Sequence, residues 1–279
     1  MCPLEPYHLG QSPPDDTVIW KYFPRRWFDS LVNDRSLFFR RVFDFLADDP
    51  NEGTIPKKDQ ERERKLALYR FWRNPNATLK DLKTEVGIAE SVDGWGMRHT
   101  TVINCWTMRS TESKLMWQAY AGVDRETHGV AVRSTVGMLR KSLREQEKLI
   151  HMSSVEYIDY ENDHFKYGTG NVMTPMFHKS KHGYADEIEL RLHHNYTGPG
   201  PFKAEELWDE CGVGRGTKIQ INLGQLLCEV VMSPNATDDD LNSVKALCAA
   251  KGVVAGATLF RHSHLHPMRF DYSRSSEEE

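Results

Sequence analysis

The stretch from Cys105 to Ser134 constrains the fold more than any other part of the chain. Its string, CWTMRSTESKLMWQAYAGVDRETHGVAVRS, reads as strand, short helix, strand, and holds the densest aromatic content of the sequence. His99 to Trp106 is rich in β-branched and aromatic residues, which suits a pleated, half-buried strand. Ser110 is placed to cap the helix that follows, with Glu112 near its positive end. In that helix Leu115 and Ala119, and Met116 and Tyr120, lie one turn apart, and Gly122 ends it. Gly129 to Ser134 is small and β-branched, a second strand.

The same mixture extends to both sides. Thr17 to Phe23 reads as a strand, and Pro24 opens a helix whose Trp27, Phe28, Leu31 and Val32 recur at helical spacing. Ser36 to Val42 suits another strand, and Ala47 to Gly53 is an acidic turn. Lys57 to Arg73 has a narrow apolar stripe on a charged helix, and Thr78 to Val86 makes a short helix. Gly87, Gly94 and Gly96 mark a loop without the spacing of a dinucleotide fingerprint. Thr135 to Lys148 is a helix with Val136, Leu139 and Leu143 inward, and Ser154 to Tyr160 is a strand. Residues 162–181 are irregular. Glu187 to His193 alternates polar and apolar, and Gly198 to Pro201 is a turn. Lys218 to Leu223 and Leu226 to Met232 read as strands. Thr237 caps a helix opened by Asp238, Asp239 and Asp240, and Gly252 closes it. Val253 to Phe260 is the last strand. With no repeat and no linker, this is an α+β (mixed α/β) chain. It forms a single domain over residues 17–272, a central mixed or antiparallel sheet with flanking helices. A flexible lead-in (1–16) precedes it and a charged tail (273–279) follows.

Charge narrows the partners. Lysine and arginine total 36 against 40 acids, so nothing draws the whole chain to nucleic acid or to an anionic membrane. The N-terminus lacks the basic start and apolar core of a signal peptide, and no uncharged apolar run reaches the roughly 18 residues of a membrane span. The five cysteines are scattered and never spaced as CxxC, which argues against disulfides and structural zinc. These features point to the cytoplasm.

Several short strings together resemble the bacterial family known as domain of unknown function 2971 (DUF2971). They run in order through Trp20-Lys-Tyr22, Leu37-Phe-Phe, Asp49-Pro50 with Glu52, Glu112, Leu115 to Tyr120, Gly129-Val-Ala-Val132, Lys179 leading to Tyr184 through Arg191, and Val231 to Ala236. The resemblance covers residues 19–263. The family reads Asn-Asp-Pro-Phe-Glu in the early loop, where this chain has Asp48-Asp49-Pro50-Asn51-Glu52. The resemblance implies a shared fold and leaves activity open.

Glu187 to His193 is the best place to look for chemistry. As a strand it puts Ile188, Leu190 and Leu192 on one face and Glu187, Glu189, Arg191 and His193 on the other. One reading is a wet, self-neutralising face. The sharper one is a carboxylate pair in a cleft, similar to what ADP-ribosyltransferase-like folds present to the ribose of NAD. There Glu189 and Glu187 would stabilise an oxocarbenium-like transition state. Lys21 and Tyr22 would grip the dinucleotide, Trp117 or Tyr120 would stack on nicotinamide, and Arg133 would meet a phosphate. The alternative reading puts Met116 and Trp117 in the core and leaves Tyr120 open. Lys179, Tyr184 and Arg191 belong to the same candidate set, and a protein or a nucleic acid is open as acceptor.

A rival reading takes Asp48, Asp49, Glu52 and the Asp186–Glu189 carboxylates with Lys179 as a magnesium-dependent nuclease. Against it, Arg191 stands where such strands carry a lysine. A third reading is a non-catalytic binding or regulatory domain in a bacterial stress or antiphage setting. His262, His264 and His266 would share a face and could bind zinc or copper if the last strand continued through them, but they read as exposed polar residues. Cys105 reads as a buried, inert thiol.

Overall fold

A computed structural model of the chain describes residues 12–84, 95–121, 128–143, 148–195 except 167, 170 and 172, 216–253, and 257–265. The expected helix end at Gly122, the Gly198–Pro201 turn, Gly87, Gly94, His266 and the 273–279 tail lie outside the described residues. Among those described, the chain is an α+β domain on one nine-stranded, mostly antiparallel sheet.

Strand β1 (Val18–Pro24) leads into helix α1 (Arg25–Asp34) and strand β2 (Ser36–Arg41). Pro24 supplies the extended turn before α1, and Arg35 in the left-handed conformation stops it by donating its N–H to the Leu31 carbonyl. Helix α2 (Lys57–Arg73) and helix α3 (Trp95–Thr100) precede strand β3 (Thr101–Thr107). Gly96 therefore sits in a short helix, where the sequence suggested a loop. Helix α4 (Lys114–Tyr120) follows, then strand β4 (Gly129–Thr135) and helix α5 (Val136–Ser142). Ser113, and not Ser110, caps α4, because its Oγ can reach the Met116 N–H. Glu112 turns away to Arg261 and Ser263.

The stretch expected as one strand over Ser154 to Tyr160 is two short ones, β5 (His151–Ser154) and β6 (Glu156–Ile158), and β6 pairs with β7 (His178–Ser180) in a separate small sheet. Strands β8 (Glu189–Asn195), β9 (Gly216–Gln220) and β10 (Glu229–Met232) return to the large sheet. A helical turn at Leu223–Leu226 replaces the start of the strand expected from Leu226. Helix α6 (Asp238–Ala250) carries a capping box between Thr237 and Asp240, and Gly252 follows it at φ 78°. The last strand, β11, is Leu259–His262 and stops before His264. Residues 12–16, read as part of a flexible lead-in, are docked instead: Asp15 accepts the Gly137 N–H and pairs with Arg140 on α5.

The sheet runs β11-β10-β4-β1-β3, with only β10 and β11 parallel. Strand β8 takes one edge of β3 along its whole length, and β5 pairs outside β8. The other edge of β3 is shared. Strand β1 meets it at Thr107, β2 meets it at Val102 and Ile103, and β9 pairs beyond β2. Two strands on one edge must diverge, so the sheet splits opposite Asn104, Cys105 and Trp106. Side chains bridge the gap: Lys21 Nζ donates to the Cys105 carbonyl at 2.7 Å, and Asn104 Nδ2 to the Phe38 carbonyl at 2.8 Å. They answer backbone groups that would otherwise be buried without partners.

The main core lies on one side of the sheet, where Ile19, Phe28, Leu31, Leu139, Leu192 and Val244 pack with α1, α5 and α6. On the other side, Trp20, Tyr22, Met116, Trp117, Ala131 and Val231 form a smaller cluster under α4. Replacing Thr237 by Ala removes the α6 cap and is expected to cost about 1 kcal/mol. A urea titration would show this as a lower midpoint at unchanged slope.

Candidate functional site

The split in the sheet opens into a cavity of about 800 Å³, within the size range of ligand-binding clefts. One end is polar and charged, lined by Lys21, Asp49, Glu52, Lys179, Glu187 and Glu189. Its walls carry several aromatic rings, among them Tyr22, Trp106, Tyr120 and Tyr184, with Trp27 and Phe38 toward the other end.

Local backbone geometry places the two glutamates. A single turn, Ala185–Glu187, ends at Ile188, whose φ of 46° is left-handed, and only then does β8 begin. A β-branched residue there is strained. The strand alternation predicted from the sequence therefore fails at its first two positions. Glu187 is off the strand, and Ile188 is 43% exposed instead of sharing the apolar face. The kink still brings Glu187 beside Glu189, because Lys179 from β7 reaches both, at 2.7 and 3.5 Å. Tyr120 at the end of α4 donates its hydroxyl to the other Glu187 oxygen. Thr107 Oγ1 donates to the Glu187 carbonyl at 2.5 Å and holds the turn against β3.

Nor is the opposite face of β8 wet, as one sequence reading had it. Glu189 is 3% exposed and Arg191 fully buried. The Arg191 guanidinium grips Glu52 through 2.6 and 3.2 Å contacts and Glu189 through 2.7 and 3.3 Å contacts, and donates to the Met176 carbonyl. Together with Lys179 and Lys21, Arg191 neutralises the three glutamates. Arg191 and Lys179 hold the Glu189 carboxyl down at about 2 against the opposing effect of burial. Burial pushes Glu52 the other way, with Arg191 only partly offsetting it. Of the pair on the shared guanidinium, Glu189 is the fixed anion and Glu52 takes a proton first. Burial also lowers the Lys21 ammonium and lifts the Tyr22 phenol to about 12. The Cys105 thiol is raised by burial and by Glu189 beside it, so it stays a neutral thiol.

The cavity gathers Lys21, Tyr22, Tyr120, Lys179, Tyr184, Glu187 and Glu189 from the sequence-selected set. Three others are not on its wall. Trp117 is sealed in the α4 core, edge-on to Tyr22 at 4.9 Å. Arg133 points along β4 to Glu229 and the Trp20 ring. Arg191 lies behind the carboxylates as their counter-ion. Tyr184 donates to the Asp48 carbonyl at 2.8 Å, and Lys179 lies 4.3 Å over its ring. Sequence reasoning missed Tyr157, whose hydroxyl accepts the Glu189 N–H at 2.9 Å, and the part Asn104 and Trp106 play in the split. Tyr157 and Asn104 act through neighbours distant in sequence, which no local pattern marks, while Trp106 donates its indole N–H to Asn104 two residues away.

Asp49 is buried at the charged end with Oδ2 unpartnered. Asp186, by contrast, faces water, with its side chain 86% exposed. Among the described residues no three His, Cys, Asp or Glu side chains are arranged to hold a metal ion. His262 bonds to Asp238 at 2.9 Å, away from this cavity. Also among the described residues, no helix is long and apolar enough to cross a membrane. Compared with protein-family models, curated proteins and solved structures, the chain matches none.

Proposed function

We propose that the cleft binds NAD and breaks the bond between its nicotinamide nitrogen and the ribose C1′, as ADP-ribosyltransferase-like enzymes do. The observation that carries this reading is the pair of carboxylates fixed by cations at one end of an aromatic-walled cleft. A carboxyl held near 2, as Glu189 is, is a poor general base at neutral pH, because catalytic bases work best near the operating pH. It is a good fixed negative charge, and such charge stabilises a cation forming in a water-poor site. When the glycosidic bond breaks, its electron pair leaves with the pyridine nitrogen and positive charge grows on the ribose. Glu187 is the more accessible of the pair, with its side chain 16% exposed. It is the group to face that charge, while Glu189, Arg191 and Glu52 fix its surroundings. The ring of Tyr120 or Tyr184 offers a surface for the pyridine. Capture of the ribose by water or by an acceptor hydroxyl completes hydrolysis or transfer.

The nuclease reading draws no comparable support. The oxygens of Glu52 and Glu189 are taken by Arg191, and Lys179 is ion-paired to Glu187. The resemblance to DUF2971 is compatible with an NAD-handling role and does not demand one.

Incubation with NAD labelled in both halves tests the proposal. Nicotinamide release by the wild type is expected, falling to background in Glu187→Gln while NAD still raises the thermal midpoint of that variant. An absence of both nicotinamide release and any thermal shift at millimolar NAD would rule the reading out.

A further inference from the structure

The cleft has a second end that the carboxylates do not explain. There Trp27 on α1 and Phe38 on β2 lie nearly parallel, 13° apart with centroids separated by 6.3 Å. Both line the cavity, yet Trp27 is 49% and Phe38 40% exposed. Their neighbours on the same elements, Phe28, Leu31, Leu37 and Phe39, are buried in the main core, so these two rings are not needed to anchor α1 or β2. Gly216, opposite Arg40 on β9, makes room for this arrangement. A Cβ there would lie 2.5 Å from Phe38 Cζ and would also collide with the Phe39 carbonyl. The ring can lie across the neighbouring strand only because that position carries no side chain.

Cations border the stacked pair. Arg26 holds its guanidinium 5.2 Å over the Trp27 ring, the place a flat ligand ring would occupy. Arg40, half-buried, lies over Phe45, donates to the Asp44 carbonyl and pairs with Asp48 at 3.6 Å. Lys218 pairs with exposed Asp34 at 2.7 Å. An exposed pair such as Lys218–Asp34 contributes little, so a phosphate could recruit Lys218. Aromatic faces beside phosphate-competent cations are the combination that holds a nucleotide base.

We infer that this outer end is a second base-binding subsite, where a purine stacks on Trp27 in the place Arg26 now holds, with Phe38 backing the Trp27 ring, while Lys218 meets the phosphates joined to it. The inference rests on the NAD reading for the inner end and deepens it: the substrate is an adenine dinucleotide spanning both ends, and a nicotinamide mononucleotide is handled poorly.

ADP, which lacks nicotinamide, is the probe. Calorimetric titration should show ADP binding to the wild type. Trp27→Ala should weaken it at least tenfold, while Trp27→Tyr, which keeps a ring, should stay within about threefold. Lys218→Ala should weaken ADP more than adenosine. Trp27 is exposed, and circular dichroism would verify that each variant is folded. An ADP affinity unchanged by Trp27→Ala, or no ADP binding at all, overturns the subsite, as does cleavage of nicotinamide mononucleotide as fast as NAD. The two readings fail separately. Trp27-dependent ADP binding without NAD cleavage would leave the subsite standing and remove the reaction. NAD cleavage with a KM indifferent to Trp27→Ala would do the reverse.

Discussion

Arg191→Met is expected to lower the free energy of unfolding by about 3–5 kcal/mol at neutral pH, the usual cost of breaking a buried ion pair from one side. For a chain of this size that is a fall of roughly 10 °C in the thermal midpoint. Arg191 is fully buried and supplies the donors that hold both Glu52 and Glu189, and it also serves the Met176 carbonyl. Methionine fills much of the volume but leaves two carboxylates facing each other, with only Lys179 and Lys21 nearby. The double variant Arg191→Met, Glu52→Gln restores the local charge balance, so it should regain a large part of the loss. Thermal unfolding of the two variants and of Glu52→Gln alone completes a double-mutant cycle. A single-variant cost below about 1 kcal/mol would mean that water reaches these carboxylates. The cleft would then lack the dry, fixed charge on which the proposed chemistry depends.

The sequence revealed the elements more readily than the site. Helices α1 and α6 are legible because their start signals and apolar spacing agree: Pro24 before α1, and Thr237 with three aspartates at the start of α6. Helix α2 forms where expected, but Leu66, Leu68, Tyr69 and Trp72, read as its apolar stripe, are exposed and Ala67 is buried instead. The split of the sheet is not legible. It depends on β1 and β2 meeting the same edge of β3, and no local pattern encodes which strands share an edge. Glu189 was found from its strand, and Glu187 for a partly mistaken reason, since a kink and a shared lysine, not alternation, bring the two together. Trp117 was offered as a stacking ring, but the alternative that put Met116 and Trp117 in the core is the one the structure shows, with Tyr120 left to the cavity. Arg191 was taken as a ligand contact, although a charged residue between Leu190 and Leu192 can equally be a buried counter-ion. Glu52 sits in a turn-forming string whose local chemistry says nothing of a partner 139 residues away.

Acid should weaken the fold through Glu189 in a definable window. Its carboxyl titrates at about 2 in the folded chain against an ordinary value of 4.5. The unfolded chain therefore takes up this proton first, and the stabilisation is complete above about pH 4.5. It fades as the pH falls toward 2, for a total of about 3 kcal/mol. Glu52 acts with the opposite sign. Its folded value is raised, so its contribution is fully present below 4.5 and is lost as the pH rises through that raised value. Lys179 is raised by the two glutamates and loses its contribution only in strong base, outside this window. Stability measured by urea unfolding should therefore fall more steeply below pH 4.5 in the wild type than in Glu189→Gln. The two curves, well apart at pH 7, should converge as the pH nears 2, and Glu52→Gln should keep the wild-type acid slope. Parallel curves for the wild type and Glu189→Gln would show that the carboxylate is not held by Arg191 and Lys179 in solution. Its role as the permanent anion that fixes the surroundings of Glu187 would then have no physical basis.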